Sequence, residues 1–264
     1  MGERLGSAVA RVALPTVPTG GFRVPRRRVR LLAILAVRDG AAVLPGWFGN
    51  VGPHVDGVVA LDDGSTDGTC ELLERQPEVV ELLRVPADRP AWDEVGNYKR
   101  LVHAAIRHGA DWIVTLDADH RVEREFRSRV ERAIRRGRAL GYSVLAFRMR
   151  ELWDAPDRYR ADGIWGQKRR PWIFRARADH VFDEQPLHGS KAPQQGRIRG
   201  HFPLADIEVY HLKMIRPADR VARRVRYETM DPEARYQRDV GYAYLTDENG
   251  LRLKSVPPAR MWSE

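Results

Sequence analysis

With one cysteine, Cys70, among its 264 residues, this chain has neither an intramolecular disulfide nor a cysteine-based zinc site available to it. Long apolar runs are missing too. None approaches the ~20 residues that cross a bilayer, so no transmembrane segment is expected. The first residues carry scattered arginines without a continuous apolar core, which is not the pattern of a signal peptide, and a cytoplasmic location is the expectation. Lysine is scarce: it supplies five of the 45 basic residues, at positions 99, 168, 191, 213 and 254. Arginine therefore carries the net charge of +9. Such an excess is either solvated helix surface or a surface for a polyanion such as DNA or anionic lipid, and both readings stand at this point.

What is present is enough apolar residue, 43%, for one good core. Residues 1–27, with Pro15, Pro18, Pro25 and paired glycines, read as a flexible leader. Apolar runs of strand length follow at 29–37, 55–61 and 112–116, and 78–84, which mixes apolar pairs with single charges, reads as a further short strand. Helical patterns lie between and after them, over 95–108 and where Val122, Phe126, Val130 and Ile134 recur every fourth residue. Alternation of this kind predicts an α/β fold with a Rossmann-like, mostly parallel sheet flanked by helices. After residue 140 the pattern changes. Strands at 143–149, 171–175 and 207–212 are separated by loops rich in Trp, Asp, His and Gly, and a basic helix follows over 217–228. The expected organisation is a leader (1–27), a nucleotide-binding half (28–140), an acceptor-side half with a smaller mixed sheet (141–215), and a C-terminal helix and tail (216–264).

Two acidic motifs close two of the strand runs. Asp62-Asp63-Gly64-Ser65-Thr66-Asp67-Gly68-Thr69 ends one, and Asp117-Ala118-Asp119 ends another. Carboxylates at the carboxyl ends of strands in an open α/β sheet face the ligand crevice. A D-x-D pair offers oxygen ligands to a hard cation, Mg²⁺ or Mn²⁺, which can keep a diphosphate on its far side. One carboxylate can take the ion directly while the other takes a bound water or a ribose hydroxyl. Asp62 suits an Asx-turn, and it equally suits the imide N–H of uracil or the N–H groups of guanine. Asp67 reads as the cap of the following helix.

Taken together, Val37-Arg38-Asp39, Leu61 to Thr69, Lys99-Arg100 and Trp112 to Asp119 make residues 31–135 resemble the nucleotide-binding half of a family 2 glycosyltransferase with the GT-A fold. The resemblance implies a nucleoside-diphosphate-sugar donor, with a UDP-sugar foremost, and a divalent metal cofactor. It implies that Asp62 contacts the nucleobase, that Asp117 holds ribose or metal, and that Asp119 is the main metal ligand. Arg38, Asp39 and Arg100 fall where such enzymes bind the nucleotide. Where relatives often read Arg-Asn-Glu after the first strand, this chain reads Arg38-Asp39-Gly40, and where they often follow D-x-D with an acid, it has His120. In the second half, Val209 to Lys213 resembles the element that brings a late histidine, here His211, to the metal, with Lys213 reaching the diphosphate. The Asp183-Glu184 pair falls in a loop comparable to the one that supplies the base for inverting transfer to an acceptor hydroxyl. Trp92, Trp153, Trp165 and Trp172 flank the acceptor loops. Of these, Trp153 or Trp165, together with His188, are the expected acceptor contacts. Two other readings use similar residues. The acceptor could be a hydroxylated base of DNA, which the arginine excess motivates. A sugar nucleotidyltransferase has a similar sheet, but Arg38-Asp39-Gly40-Ala41-Ala42 is poor in glycine for a triphosphate loop.

Overall fold

The computed structural model describes residues 28–88, 93–185, 190–196 and 202–263. The expected leader at 1–27 lies outside them, as do Trp92 and His188. The first strand, β1 (Leu31–Val37), is apolar throughout and almost entirely buried, as a strand covered on both faces must be. Helix α1 (Leu44–Val51) then leads to β2 (Val58–Asp62), α2 (Thr69–Arg75) and β3 (Val79–Arg84). Helix α3 (Glu94–Arg107) is capped by the Asp93 carboxylate, which accepts the Gly96 N–H at 2.7 Å. It returns the chain to β4 (Trp112–Thr115), which pairs with β1 on the side opposite β2.

The strand order makes β1 and β4 the switch point of the sheet. Strands β3, β2, β1 and β4 are parallel neighbours, with α3 packed against β1 and β2. Their carboxyl ends are Arg84, Asp62, Val37 and Thr115, so both acidic motifs open at one end of the sheet. The chain continues through β5 (His120–Val122), α4 (Phe126–Ala139), β6 (Val144–Glu151), β7 (Arg158–Arg160), β8 (Arg169–Arg175) and β9 (Leu204–His211). Strands β8, β6, β9 and β5 extend the sheet beyond β4 in mixed orientation. The fold is thus the expected α/β architecture, but the strands after residue 140, expected as a smaller mixed sheet, are continuous with the parallel ones in one eight-stranded sheet. A basic helix, α5 (Pro217–Met230), and a small antiparallel pair of β7 with β10 (Leu253–Ser255) complete the chain.

Three details depart from the sequence pattern. Val122 lies in β5 and not in the helix that begins at Phe126; both side chains enter the same core, which is why the every-fourth-residue pattern ran through them. Strand β5 is three residues long, too short to announce itself. The C-terminal tail is tied down: Arg260 meets the fully buried Glu123 at 3.0 Å, and the Ser263 carbonyl accepts from Asn50 Nδ2 at 2.8 Å.

The turn after β2 depends on glycine at one position above all. Gly64 has φ of +74°, and an added Cβ would stand 2.7 Å from the Ala87 Cα. Gly68 has φ of +90° with open space around it. Gly68→Ala is expected to cost about 1–2 kcal/mol for backbone strain alone. Gly64→Ala adds a backbone clash, so its melting temperature should fall clearly further. Equal melting temperatures for the two variants would contradict this account.

Candidate metal and nucleotide site

Register does most of the assembly. Glu151 at the end of β6 is paired with His211 at the end of β9, and His211 with His120 at the start of β5. Three ionisable side chains therefore stand side by side across adjacent strands, beside the Asp117-Ala118-Asp119 turn. That turn is pinned on both sides. Trp47 Nε1 donates to the Asp117 carbonyl at 3.0 Å, and the Leu212 N–H donates to the Asp119 carbonyl at 2.9 Å.

His211 is held between two carboxylates. Its Nδ1 meets Glu151 Oε2 at 2.6 Å, and its Nε2 lies 3.2 Å from Asp119 Oδ2. Burial alone would depress the imidazole, but Glu151 and Asp119 outweigh it and raise its pKa to about 9. Against the same burial, His211 and His120 hold Asp119 far below the usual carboxylate range. Glu151, 1% exposed, is likewise held well below its usual value against burial by His211 and Lys168, whose Nζ donates to it at 2.8 Å. Burial lowers Lys168 to about 8 despite that partner.

This donor set fits a divalent cation. The charged ring meets Glu151 through Nδ1 and Asp119 through Nε2. A cation taken up beside Asp119 would displace the Nε2 proton and leave Nδ1–H on Glu151, an arrangement in which a carboxylate orients a metal-binding histidine. Two ligand atoms in cis positions about 2.1 Å from one ion are roughly 3 Å apart, close to the 3.2 Å between Nε2 and Oδ2. His120 groups with Asp119 and His211 by proximity. Its chemistry is different. The Asp117 N–H donates to His120 Nδ1 at 2.9 Å, so the neutral ring carries its proton on Nε2, facing the two aspartates at 3.8 and 3.9 Å. Burial holds this ring neutral, with a pKa of about 4. His120 is buried beside the two carboxylates, beyond hydrogen-bond distance of either.

Asp117 faces a different partner. Lys191 Nζ reaches its Oδ1 at 3.1 Å and also lies over the Trp172 ring, 4.8 Å from the centroid. Lys191 and His120 keep Asp117 below its usual range in spite of burial. At the end of β2, Asp62 accepts a Ser65 N–H through Oδ2 at 3.3 Å, while its buried Oδ1 has no partner among the described residues. Asp39, at φ of +50°, works as a clasp: its N–H donates to Ser65 Oγ at 2.9 Å and its carboxylate accepts the Thr66 N–H at 2.8 Å. Asp67 accepts the first helical N–H of α2, from Thr69, at 3.1 Å.

Three adjoining cavities share Asp117 and Arg226. One of about 540 Å³ is lined by Arg38, Asp39 and Lys213; one of about 340 Å³ by Asp119, His211 and Glu151; and one of about 560 Å³ by Glu94, Trp172, Lys191 and several arginines. Most of the expected donor residues are therefore gathered at one sheet end. Others are not. Arg100 donates to Asn97 and to the Arg84 carbonyl, both at 3.3 Å, and lines none of these cavities. Asp183 accepts backbone N–H groups from Gln185 and Ser190, Glu184 pairs with Lys99 at 2.7 Å, and neither lines them.

The tryptophan expectation is corrected. Trp153 is fully buried and Trp165 is 3% exposed; they pack on each other with Met214, Tyr242 and Leu245 and cannot stack on a sugar. The half-buried Trp172 lines two of the cavities instead. Glu151, Lys191 and Glu94 carry no signal in the sequence, because each enters the site from a segment without a motif, whereas Lys168 and Arg223 belong to the basic runs at 168–170 and 216–226.

No protein-family model matches the chain. Uncharacterized proteins of Mycobacterium tuberculosis and Mycobacterium bovis are each 26% identical to it over 240 residues, covering 84% of this chain and 57% of theirs. The chain thus spans less than two thirds of the length of these curated relatives. Among solved structures, Staphylococcus aureus TarS 1-349 is similar with a TM-score of 0.49 and 12% identity, over 81% of this chain and 74% of that one. The same protein in complex with UDP-GlcNAc gives a TM-score of 0.47 and 11% identity, over 84% and 77%.

Proposed function

We propose that this chain is a divalent-cation-dependent glycosyltransferase, moving a sugar from a nucleoside diphosphate, with a UDP-sugar as first candidate, to an acceptor hydroxyl. The observation that carries this reading is a conjunction at one sheet end. Asp62 closes β2 at the same end of the sheet at which Asp117 and Asp119 follow β4, and His211 Nε2 meets Asp119 there at 3.2 Å. The sequence resemblance to family 2 enzymes implies the same assignment.

In this reading the cavity beside Arg38, Asp39 and Lys213 takes the nucleoside. Asp62, which is buried at the end of β2 and lines none of the three cavities, would meet the base only after the turn that covers it moves. Asp119 and His211 Nε2 would hold Mn²⁺ or Mg²⁺. When bound, that ion neutralises the diphosphate as it leaves. Lys191 and Arg226 add fixed positive charge on the same side. Inversion is the expected course, with one carboxylate taking the acceptor proton. Glu94 faces the larger cavity at the start of α3, 3.9 Å from Lys191 Nζ. Burial raises its pKa, partly offset by Lys191, which suits a general base better than an exposed carboxylate does. Asp183 and Glu184, the bases expected from sequence, are committed to a loop and to Lys99.

Asp62→Ala tests the nucleobase assignment. It removes Oδ1, which has no partner among the described residues, together with Oδ2, which accepts the Ser65 N–H, so stability should fall by no more than about 1–2 kcal/mol. UDP affinity should fall by about tenfold to a hundredfold. Thermal stability against a panel of UDP, GDP, dTDP, CDP and ADP with Mn²⁺ reads both effects. Unchanged UDP affinity in the variant would remove Asp62 from the site.

A further inference from the structure

The cavity of about 560 Å³ has a charge that a neutral sugar does not call for. Lys168, Arg169, Arg170, Lys191, Arg223 and Arg226 line it, against the carboxylates of Glu94 and Asp117. Two of the six cations are matched internally, Lys168 by Glu151 and Lys191 by Asp117. Arg169, Arg170 and Arg226 have no carboxylate within ion-pair distance among the described residues. Elsewhere the arginines that reach inward are matched: Arg127 by Asp56 and Glu131, Arg160 by Asp162, Arg220 by Asp154. Arg169 and Arg226 are exposed and Arg170 is half-buried, so the unmatched charge stands at the open side of the cavity.

It is also held in place. Arg170 and Lys191 both lie over the Trp172 ring, at 5.5 and 4.8 Å, so neither stem is free to swing into solvent without losing a cation–π contact. Register sets Arg169 opposite Arg148 on the neighbouring strand; Arg148 has Asp206 at 3.8 Å, while Arg169 has no carboxylate partner among the described residues.

We propose that this cavity is the acceptor site and that the acceptor is anionic, carrying a phosphate close to the hydroxyl that is glycosylated. The proposal rests on the transferase reading above. Guanidinium groups match phosphate oxygens with paired N–H donors, whereas uncharged hydroxyls gain little from three unmatched cations. The cavity is sized for a phosphorylated sugar or a similar small hydroxyl compound, or for one unit of a phosphodiester chain. A nucleic acid duplex would instead lie across an open basic face. Arg169 separates acceptor from donor, because it lines this cavity and neither of the other two.

The test is calorimetric titration of glycerol 3-phosphate, a glycerol phosphodiester and glycerol into full-length protein saturated with UDP and Mn²⁺. The wild type and an Arg169→Gln variant are compared, with UDP binding measured on the same samples. Phosphate probes are expected to bind while glycerol does not, and the variant should lose about tenfold in probe affinity with UDP affinity kept. A preference for the monoester or for the diester assigns the source of the phosphate. Equal binding of glycerol and its phosphates overturns the proposal, as does a probe that UDP displaces or a variant with unchanged probe affinity. So does duplex DNA that binds through Arg169 when the small phosphates do not. Absence of UDP binding together with Arg169-dependent phosphate binding would overturn the donor assignment alone.

Discussion

Asp119→Ala is expected to abolish cation-dependent binding of a nucleoside diphosphate while leaving the protein folded. The Asp119 carboxylate faces His211 Nε2 at 3.2 Å, and the cation in the proposed site needs both. Losing an anionic oxygen ligand removes several kcal/mol of interaction with the ion and with the diphosphate beyond it. At about 1.4 kcal/mol per tenfold change, that is on the order of a thousandfold in affinity. The fold should survive, because Asp119 is only half-buried and His211 keeps Glu151 as a partner at 2.6 Å. Melting with UDP and Mn²⁺ should give a clear upward shift for the wild type and none for the variant. A retained shift would mean that the nucleotide binds without this residue.

Glu151→Ala should show the opposite balance, with stability suffering first. Glu151 is buried and is contacted by two groups that carry positive charge, His211 Nδ1 at 2.6 Å and Lys168 Nζ at 2.8 Å. Its removal strands both in a dry environment. Breaking a buried pair from one side costs about 3–5 kcal/mol. For a chain of this size that is roughly 10 °C in melting temperature. Replacing carboxylate and amine together, Glu151→Leu with Lys168→Met, should recover part of the loss, since a buried pair exchanged for apolar groups is far less costly than a broken one. A double variant no more stable than Glu151→Ala would show that the pair is not the source of the cost.

The two acidic motifs at this end of the sheet were legible in the sequence. Both acidic motifs follow apolar runs, and buried parallel strands with ligand groups at their ends are local patterns. His211 was legible only through the resemblance of the residues around it. Glu151 was not legible at all. It ends an ordinary strand, and only the β6–β9 register brings it to His211 across 60 positions of sequence. Lys191 belongs to a loop without periodicity, and its meeting with Asp117 is equally long-range. Trp153 and Trp165 misled for a different reason. Tryptophan beside acidic and glycine-rich loops looks like a sugar platform, but the α5 side of the fold needed its own small core, and these two rings fill it.

Bound manganese, followed by electron paramagnetic resonance as Mn²⁺ is titrated in with and without UDP, reaches the central claim most directly. The wild type should bind one Mn²⁺ per chain more tightly when UDP is present, and His211→Ala should lose both the ion and the UDP effect. Mn²⁺ that binds equally well in the variant, or UDP that binds without any cation, would contradict the assignment of Asp119 and His211 as the cation site.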